Sequence, residues 1–168
     1  ASNTLSRSLS VSTGIDLPLR HNYGTLHIGP SLLSEATLTL PMSAHIGLIA
    51  SASLRSAAIS PRGQKAPVTG ILTGISAQTG LAASTSFGSS PLALAAFATA
   101  GYLHRTASGG VAVRRSSYIA SAGADLSLAL TPAFALGLRP AITLSASPLE
   151  GHSPLASTSI SIYSRANF

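Results

Sequence analysis

The sequence predicts an all-β fold, an antiparallel up-and-down transmembrane barrel of eight strands, with ten as the alternative count. Four observations lead there. Apolar residues recur with a period of two over a dozen positions: Phe134, Leu136, Leu138, Ile142 and Leu144 alternate with Ala135, Gly137, Arg139, Ala141 and Thr143. Only 8% of the residues are charged, against 45% hydrophobic, whereas soluble domains carry about 25% charged residues. No segment reaches the roughly 18 uninterrupted apolar residues of a membrane helix, so a membrane-embedded form would need a closed barrel to satisfy its backbone. Finally, tight and long connections alternate along the chain, which in an up-and-down barrel sorts them to opposite rims. The rival architecture is an Ig-like β-sandwich.

Eight period-two runs follow in order within a single β domain, 1–168. Leu5–Leu17 sets Leu5, Leu9, Val11, Ile15 and Leu17 against serines, Gly14 and Asp16. Tyr23–Leu40 carries Leu26, Ile28, Leu32, Ala36, Leu38 and Leu40 in its apolar set. Ala44–Leu54 alternates Ile46, Leu48, Ala50 and Leu54 with His45, Gly47, Ser51 and Ser53. Val68–Phe87 keeps one phase across Thr79-Gly80, which favours a single long strand, although Gly80 could also mark a hairpin. Leu92–His104, Tyr118–Thr131, Phe134–Ala146 and Ser157–Phe168 complete the set. Such runs exceed the usual 5–6 residues of a strand and suit an apolar band about 25 Å tall. Helical stripes with caps are nearly absent.

Three tight connections each contain a proline: Pro41-Met42-Ser43, Ser89-Ser90-Pro91 and Pro132-Ala133. Four longer ones hold many of the charged groups. They are Pro18–Asn22, Arg55–Pro67 with Arg62 and Lys65, Arg105–Ser117 with Arg114 and Arg115, and Ser147–Ala156 with Glu150 and His152. The formal charge of +6 is spread over scattered arginines, without a basic helix or an RNA-binding aromatic motif, which argues against nucleic acid. A basic rim meeting anionic lipid headgroups accounts for it equally well. A chain starting at Ala1 suggests a mature form whose signal peptide has been removed. The absence of cysteine excludes disulfides and thiolate metal sites.

If the apolar face meets lipid, the other face fills the lumen. That inward set contains Asp16, His27, Glu35, His45, Arg55, Asp125, Arg139, Tyr163 and Arg165, with Asp125 and Arg139 as diagonal neighbours across the Pro132-Ala133 turn. Charges that would be costly in lipid can be satisfied as pairs inside. Eight strands leave a bore that side chains fill, so the interior should be plugged. His27, His45 and Glu35 are expected to form a structural hydrogen-bonded cluster. The histidines show no metal-ligand spacing, and no cofactor is implied.

The segment Tyr118–Ser147, YIASAGADLSLALTPAFALGLRPAITLSAS, resembles the penultimate hairpin of the small OmpA/OmpX-like outer-membrane barrels. STSISIYSRANF resembles their closing strand. The resemblance implies a bacterial outer-membrane protein with lipid and lipopolysaccharide around it. It also implies Phe168 as the signal read by the barrel-assembly machinery, and a structural or surface-interaction role, with an extracellular protein partner as one option. Two departures stand against it: there is no Trp for an interfacial girdle, leaving Tyr23, Tyr102, Tyr118 and Phe168, and Ala166 stands where a second terminal aromatic is expected. Val11–Pro30 resembles more faintly the opening of archaic chaperone–usher pilins. In that reading the chain is a secreted fibre subunit, and Leu5–Leu17 is the donor strand to an identical neighbour. Glu150, His152 and Ser153 match the residue types of lipid A-modifying hydrolases, but neighbours in one loop rarely meet the geometry of a nucleophile and its base; the expectation is no enzyme.

Overall fold

A computed structural model describes residues 6–61, 70–87 and 89–168. Eight long strands form one antiparallel sheet: β1 (Ser8–Pro18), β3 (Leu26–Pro41), β4 (Ile46–Pro61), β5 (Gly70–Ser86), β6 (Leu92–Ala107), β7 (Ser116–Thr131), β8 (Phe134–Ser145) and β9 (Leu155–Asn167). The two-residue β2 (Asn22–Tyr23) pairs only with the start of β3. Each strand pairs with its sequence neighbours, and β1 pairs with both β3 and β9, so the sheet closes into an eight-stranded barrel. The alternative sandwich and the donor-strand reading are thereby corrected, because both edges of β1 are taken within its own chain. Gly80 lies inside β5, not in a hairpin, which fixes the strand number at eight instead of ten.

The connections sort as the sequence predicts. The ends joining β3 to β4, β5 to β6 and β7 to β8 lie at one rim, here the turn rim; 19–25, 108–115 and 146–154 join strands at the opposite, loop rim. Ser8 pairs with Asn167, and the Phe168 amide donates to the Arg7 carbonyl at 2.9 Å, so the first and last strands meet at the turn rim.

Alternation decides the two faces. In β1, Ser8, Ser10, Ser12 and Asp16 are buried while Leu9, Val11, Ile15 and Leu17 are exposed. In β9, Ser157, Ser159, Ser161 and Tyr163 are buried while Ile160 and Ile162 stand out. Leu138, Ile142, Leu126, Leu81 and Ile75 continue the apolar belt on β8, β7 and β5. No Asp, Glu, Lys or Arg faces outward within the eight strands. A belt of branched side chains turned to water would be an association hazard; turned to lipid it is the ordinary exterior of a membrane barrel. Tyr102 and Tyr118 form a directly paired exposed rung near the loop rim, and Phe134 and Phe168 are exposed at the turn rim.

The interior is layered. Its middle holds charged and hydroxyl side chains, but its loop end is apolar: Tyr23, Leu26, Ile28, Ala57, Ile59 and Leu72 pack into a buried cluster covered by Val111, Val113 and Leu149 from two loops. Tyr23, expected at a rim, is 3% exposed within this cap. The cap explains why β4 runs on to Pro61, well past Leu54. Above Arg55 the inward residues become Ala57 and Ile59, so the polar–apolar alternation reverses while the strand continues. Near the turn rim, Gly137 sits opposite Tyr163. A Cβ at Gly137 would lie 2.4 Å from Tyr163 Cζ, so this glycine makes room for the most voluminous fully buried side chain.

Placing a charge on the belt tests the assignment of faces. Ile162→Arg, 63% exposed in the wild type, is expected to cost about 2–4 kcal/mol for a cation at mid-bilayer. The readout is the urea midpoint for unfolding from lipid vesicles; an unchanged midpoint would mean that this face does not meet hydrocarbon.

Candidate functional site: a charged lumen under a basic loop rim

Arg139 on β8 is the hub of the lumen. Its Nε and Nη2 donate to Asp125 Oδ1 and Oδ2 on β7 at 2.6 and 2.9 Å, a bidentate pair. Its Nη1 donates to Glu35 Oε1 on β3, across the bore, and to Thr37 Oγ1 at 3.0 Å. Thr37 in turn donates to Glu35 at 3.1 Å. The guanidinium lies between the rings of Phe97 (5.3 Å) and Tyr163 (5.2 Å), a stacking that planar arginine suits better than lysine. Next to it, Pro140 has no amide hydrogen, and the β7–β8 ladder passes from Gly123–Ala141 directly to Leu126–Leu138. The bidentate pair therefore ties β7 to β8 where the backbone ladder is interrupted.

Two further arginines reach across the bore. Arg55 on β4 approaches Asp16 on β1 at 3.8 Å and donates to Thr143 Oγ1 on β8 at 3.3 Å. Arg165 on β9 donates to Ser127 Oγ at 3.0 Å and lies 6.0 Å from the Tyr163 ring. Hydroxyl and amide chains fill the space between them: Ser53–Ser76 at 2.7 Å, Thr99–Gln78 at 3.0 Å and Ser121–Thr143 at 3.1 Å. What remains in the middle is a cavity of about 40 Å³ lined by Glu35, Arg55, Phe97, Asp125, Arg139 and Arg165 among others. That is room for a few waters at roughly 10–15 Å³ each, not a solute pathway.

The structure brings together Glu35, Asp125, Arg139, Tyr163 and Arg165, and separately Asp16 with Arg55. It does not bring in His27 or His45. A bulge between Ile28 and Ser31, at Gly29-Pro30, shifts the phase of β3. Leu26 and Ile28 therefore point inward on the loop-rim side of the bulge, and His27 lies on the outer side. There its Nδ1 donates to Asn22 Oδ1 at 3.0 Å and its ring stacks 5.6 Å from His21. His45 is exposed in the turn at 42–45, before β4 begins. The expected His27–His45–Glu35 cluster is thus corrected.

Arg105 is also a lumen residue, although the sequence places it at the start of a loop. It lies on β6, 2% exposed, and donates to Ser117 Oγ at 3.1 Å, Ser145 Oγ at 2.7 Å and the Ala146 carbonyl at 2.8 Å. Its signal was the phase shared with Leu103, which runs inward through β6.

At the loop rim, Arg20 and Arg115 are exposed and Arg114 is partly so; the Arg114 amide donates to the Pro148 carbonyl at 2.7 Å, tying two loops together. Arg62 and Lys65 lie outside the described residues. Glu150, His152 and Ser153 are exposed. Among the described residues no hydrogen bond joins any two of them, and no group of three or more His, Cys, Asp or Glu is placed to hold a metal ion.

OprG from Pseudomonas aeruginosa superposes with a TM-score of 0.71 at 8% identity, covering 99% of this chain and 98% of that one. Neisserial surface protein A superposes at 0.70 with 11% identity, covering 96% of each chain. The chain has the fold of the small outer-membrane barrels. Ail, the attachment invasion locus protein of Yersinia pestis, matches at 0.54 with 15% identity over 98% of this chain and all of that one. Ail is also known in complex with the heparin analogue sucrose octasulfate. No protein-family model and no curated protein sequence matches the chain.

The hub arginine gives an ordered prediction. Arg139→Leu leaves Glu35 and Asp125 buried without their cation, and is expected to cost about 3–5 kcal/mol. Asp125→Asn keeps Glu35 as a partner and is expected to cost less. Urea unfolding in vesicles reads both; an Asp125 variant as damaging as the Arg139 variant would contradict the hub.

Proposed function

We propose that the chain is a small barrel of the bacterial outer membrane with a side-chain-filled lumen, serving a structural or surface-interaction role through its basic external loops. The observation that carries this reading is the sorting of charge. The protein has four carboxylates, and Asp16, Glu35 and Asp125 are in the lumen, engaged with arginine. Glu150 alone faces outward at the loop rim. Against it stand Arg20, Arg114 and Arg115, with Arg62 and Lys65 in the connection 62–69. Spending the acids inside leaves the outer rim cationic, and such a rim attracts polyanions over about a Debye length.

Lipopolysaccharide phosphates are the polyanion that an outer-membrane rim meets first; an extracellular partner with an acidic surface would be read by the same charges. The polysulfated heparin analogue bound by Ail is a polyanion of the same general kind on a barrel of the same fold. An enzyme reading has no comparable support, because Glu150, His152 and Ser153 lack the mutual contacts of a nucleophile and base. Phe168, 71% exposed at the turn rim, is accessible there as the signal for barrel assembly.

Barrels in nanodiscs of uncharged lipid are expected to bind heparin or soluble lipopolysaccharide with an affinity that falls as salt rises. Replacing Arg20, Arg114 and Arg115 together by Gln should weaken binding at least about tenfold, at about 1 kcal/mol per near-surface cation. Binding indifferent to both salt and the triple substitution would overturn the basic-rim reading.

A further inference from the structure

The apolar belt is not uniform. On the outer face of β6 and β7 three successive rungs are alanine on alanine: Ala96–Ala124, Ala98–Ala122 and Ala100–Ala120. By the strand rise they form a floor about 14 Å long. On the β8 side Ile142 and Leu144 pair with Ala122 and Ala120 and form a wall; on the β5 side Leu81 rises beside Ala98, between the smaller Ala83 and Thr79 beside Ala96 and Ala100. Ile142 is 60% exposed. The result is a shallow apolar channel running along the two strands.

Followed toward the loop rim, the channel meets the Tyr102–Tyr118 rung, where amphipathic rings suit the membrane–water boundary. One rung further lies His104–Ser116. There the connection 108–115 folds back on β6, with the Arg105 amide donating to the Arg115 carbonyl. His104, Thr106, Val111, Val113 and Arg115 are among the residues lining a cleft of about 390 Å³. No carboxylate lines it, since three of the four are in the lumen and Glu150 is on another loop. An apolar channel, an aromatic rung and a cationic cleft thus follow one another on the same two strands.

We propose that this face holds one molecule of a membrane lipid with an anionic phosphate headgroup. The phosphate lies in the His104–Arg115 cleft and an acyl chain lies on the alanine floor. The proposal rests on the outer-membrane reading above and names a specific lipid site within it. Free phosphate would use the cleft but has no use for the channel below it. A second copy of the barrel fits less well, because a two-fold contact through this face would bring two His104–Arg115 clefts together at the same height. Like charges so placed repel.

The experiment is native mass spectrometry of the full chain, folded in detergent, with lipid A carrying both phosphates or with the same lipid A dephosphorylated. One phosphorylated lipid A should stay bound per barrel, about tenfold more than the dephosphorylated form, the effect expected of one or two near-surface cations. His104→Gln with Arg115→Gln should reduce retention to the dephosphorylated level. Ala98→Leu with Ala122→Leu fills the channel without touching the cations and should also reduce it several-fold, whereas Arg7→Gln, at the opposite rim, should not.

Equal retention of the two lipids would overturn the proposal. So would full competition by inorganic phosphate with no effect of the leucine pair, which would leave an anion site only. A dimer mass abolished by the leucine pair would assign the face to a second copy instead. Slower gel migration after boiling, recorded for every variant, separates misfolding from lost binding. A wild-type chain that migrates alike before and after boiling would fail the membrane reading itself.

Discussion

A β-strand in hydrocarbon has no water to satisfy its amide and carbonyl groups, so every one must find a partner in the same sheet. The rest of this structure depends on that constraint. It forces β1 to pair with β9 as well as β3, and closure at eight strands makes the bore narrow. A narrow bore whose wall alternates strictly must then place every second residue in a small shared volume. Serine, threonine and glycine fit there in number, and the few large residues have to be accommodated individually, as Gly137 accommodates Tyr163.

Charges in that volume are cheap only when matched. Arg139 meets two carboxylates from opposite sides of the bore and two aromatic faces, so it joins β3, β7 and β8 through their side chains. It does so beside Pro140, where the ladder between β7 and β8 is weakest. Arg105 is treated differently: it has no acid and is held by two hydroxyls and a carbonyl. With only four carboxylates in the chain, the lumen takes three, and the basic character of the loop rim follows from that allocation.

Much of this was legible in the sequence because lipid outside and polar groups inside produce a strong period of two. Leu9, Val11, Ile15 and Leu17 announce the outer face of β1 as plainly as Ile160 and Ile162 announce that of β9. The alternating tight and long connections gave the two rims. The signal failed where the physical contrast failed. Toward the loop rim the interior turns apolar, so Ala57 and Ile59 reversed the pattern and the end of β4 read as loop. A single bulge at Gly29-Pro30 inverted the phase for His27, and period-two reading has no way to detect an inserted residue when both phases contain apolar side chains. The Asp125–Arg139 pair was readable across a two-residue turn, but the contact of Arg139 with Glu35 spans the bore and depends on closure.

The central claim is that even-numbered residues of β9 face lipid while odd-numbered ones face a packed polar lumen. The absence of cysteine allows single cysteines to be introduced at successive positions from Thr158 to Ala166 and spin-labelled in vesicles. Oxygen, which partitions into hydrocarbon, should relax labels at 158, 160, 162, 164 and 166 strongly and those between them weakly. A period of two in oxygen accessibility is the predicted result. Uniform access to a water-soluble relaxant at every position would contradict the barrel.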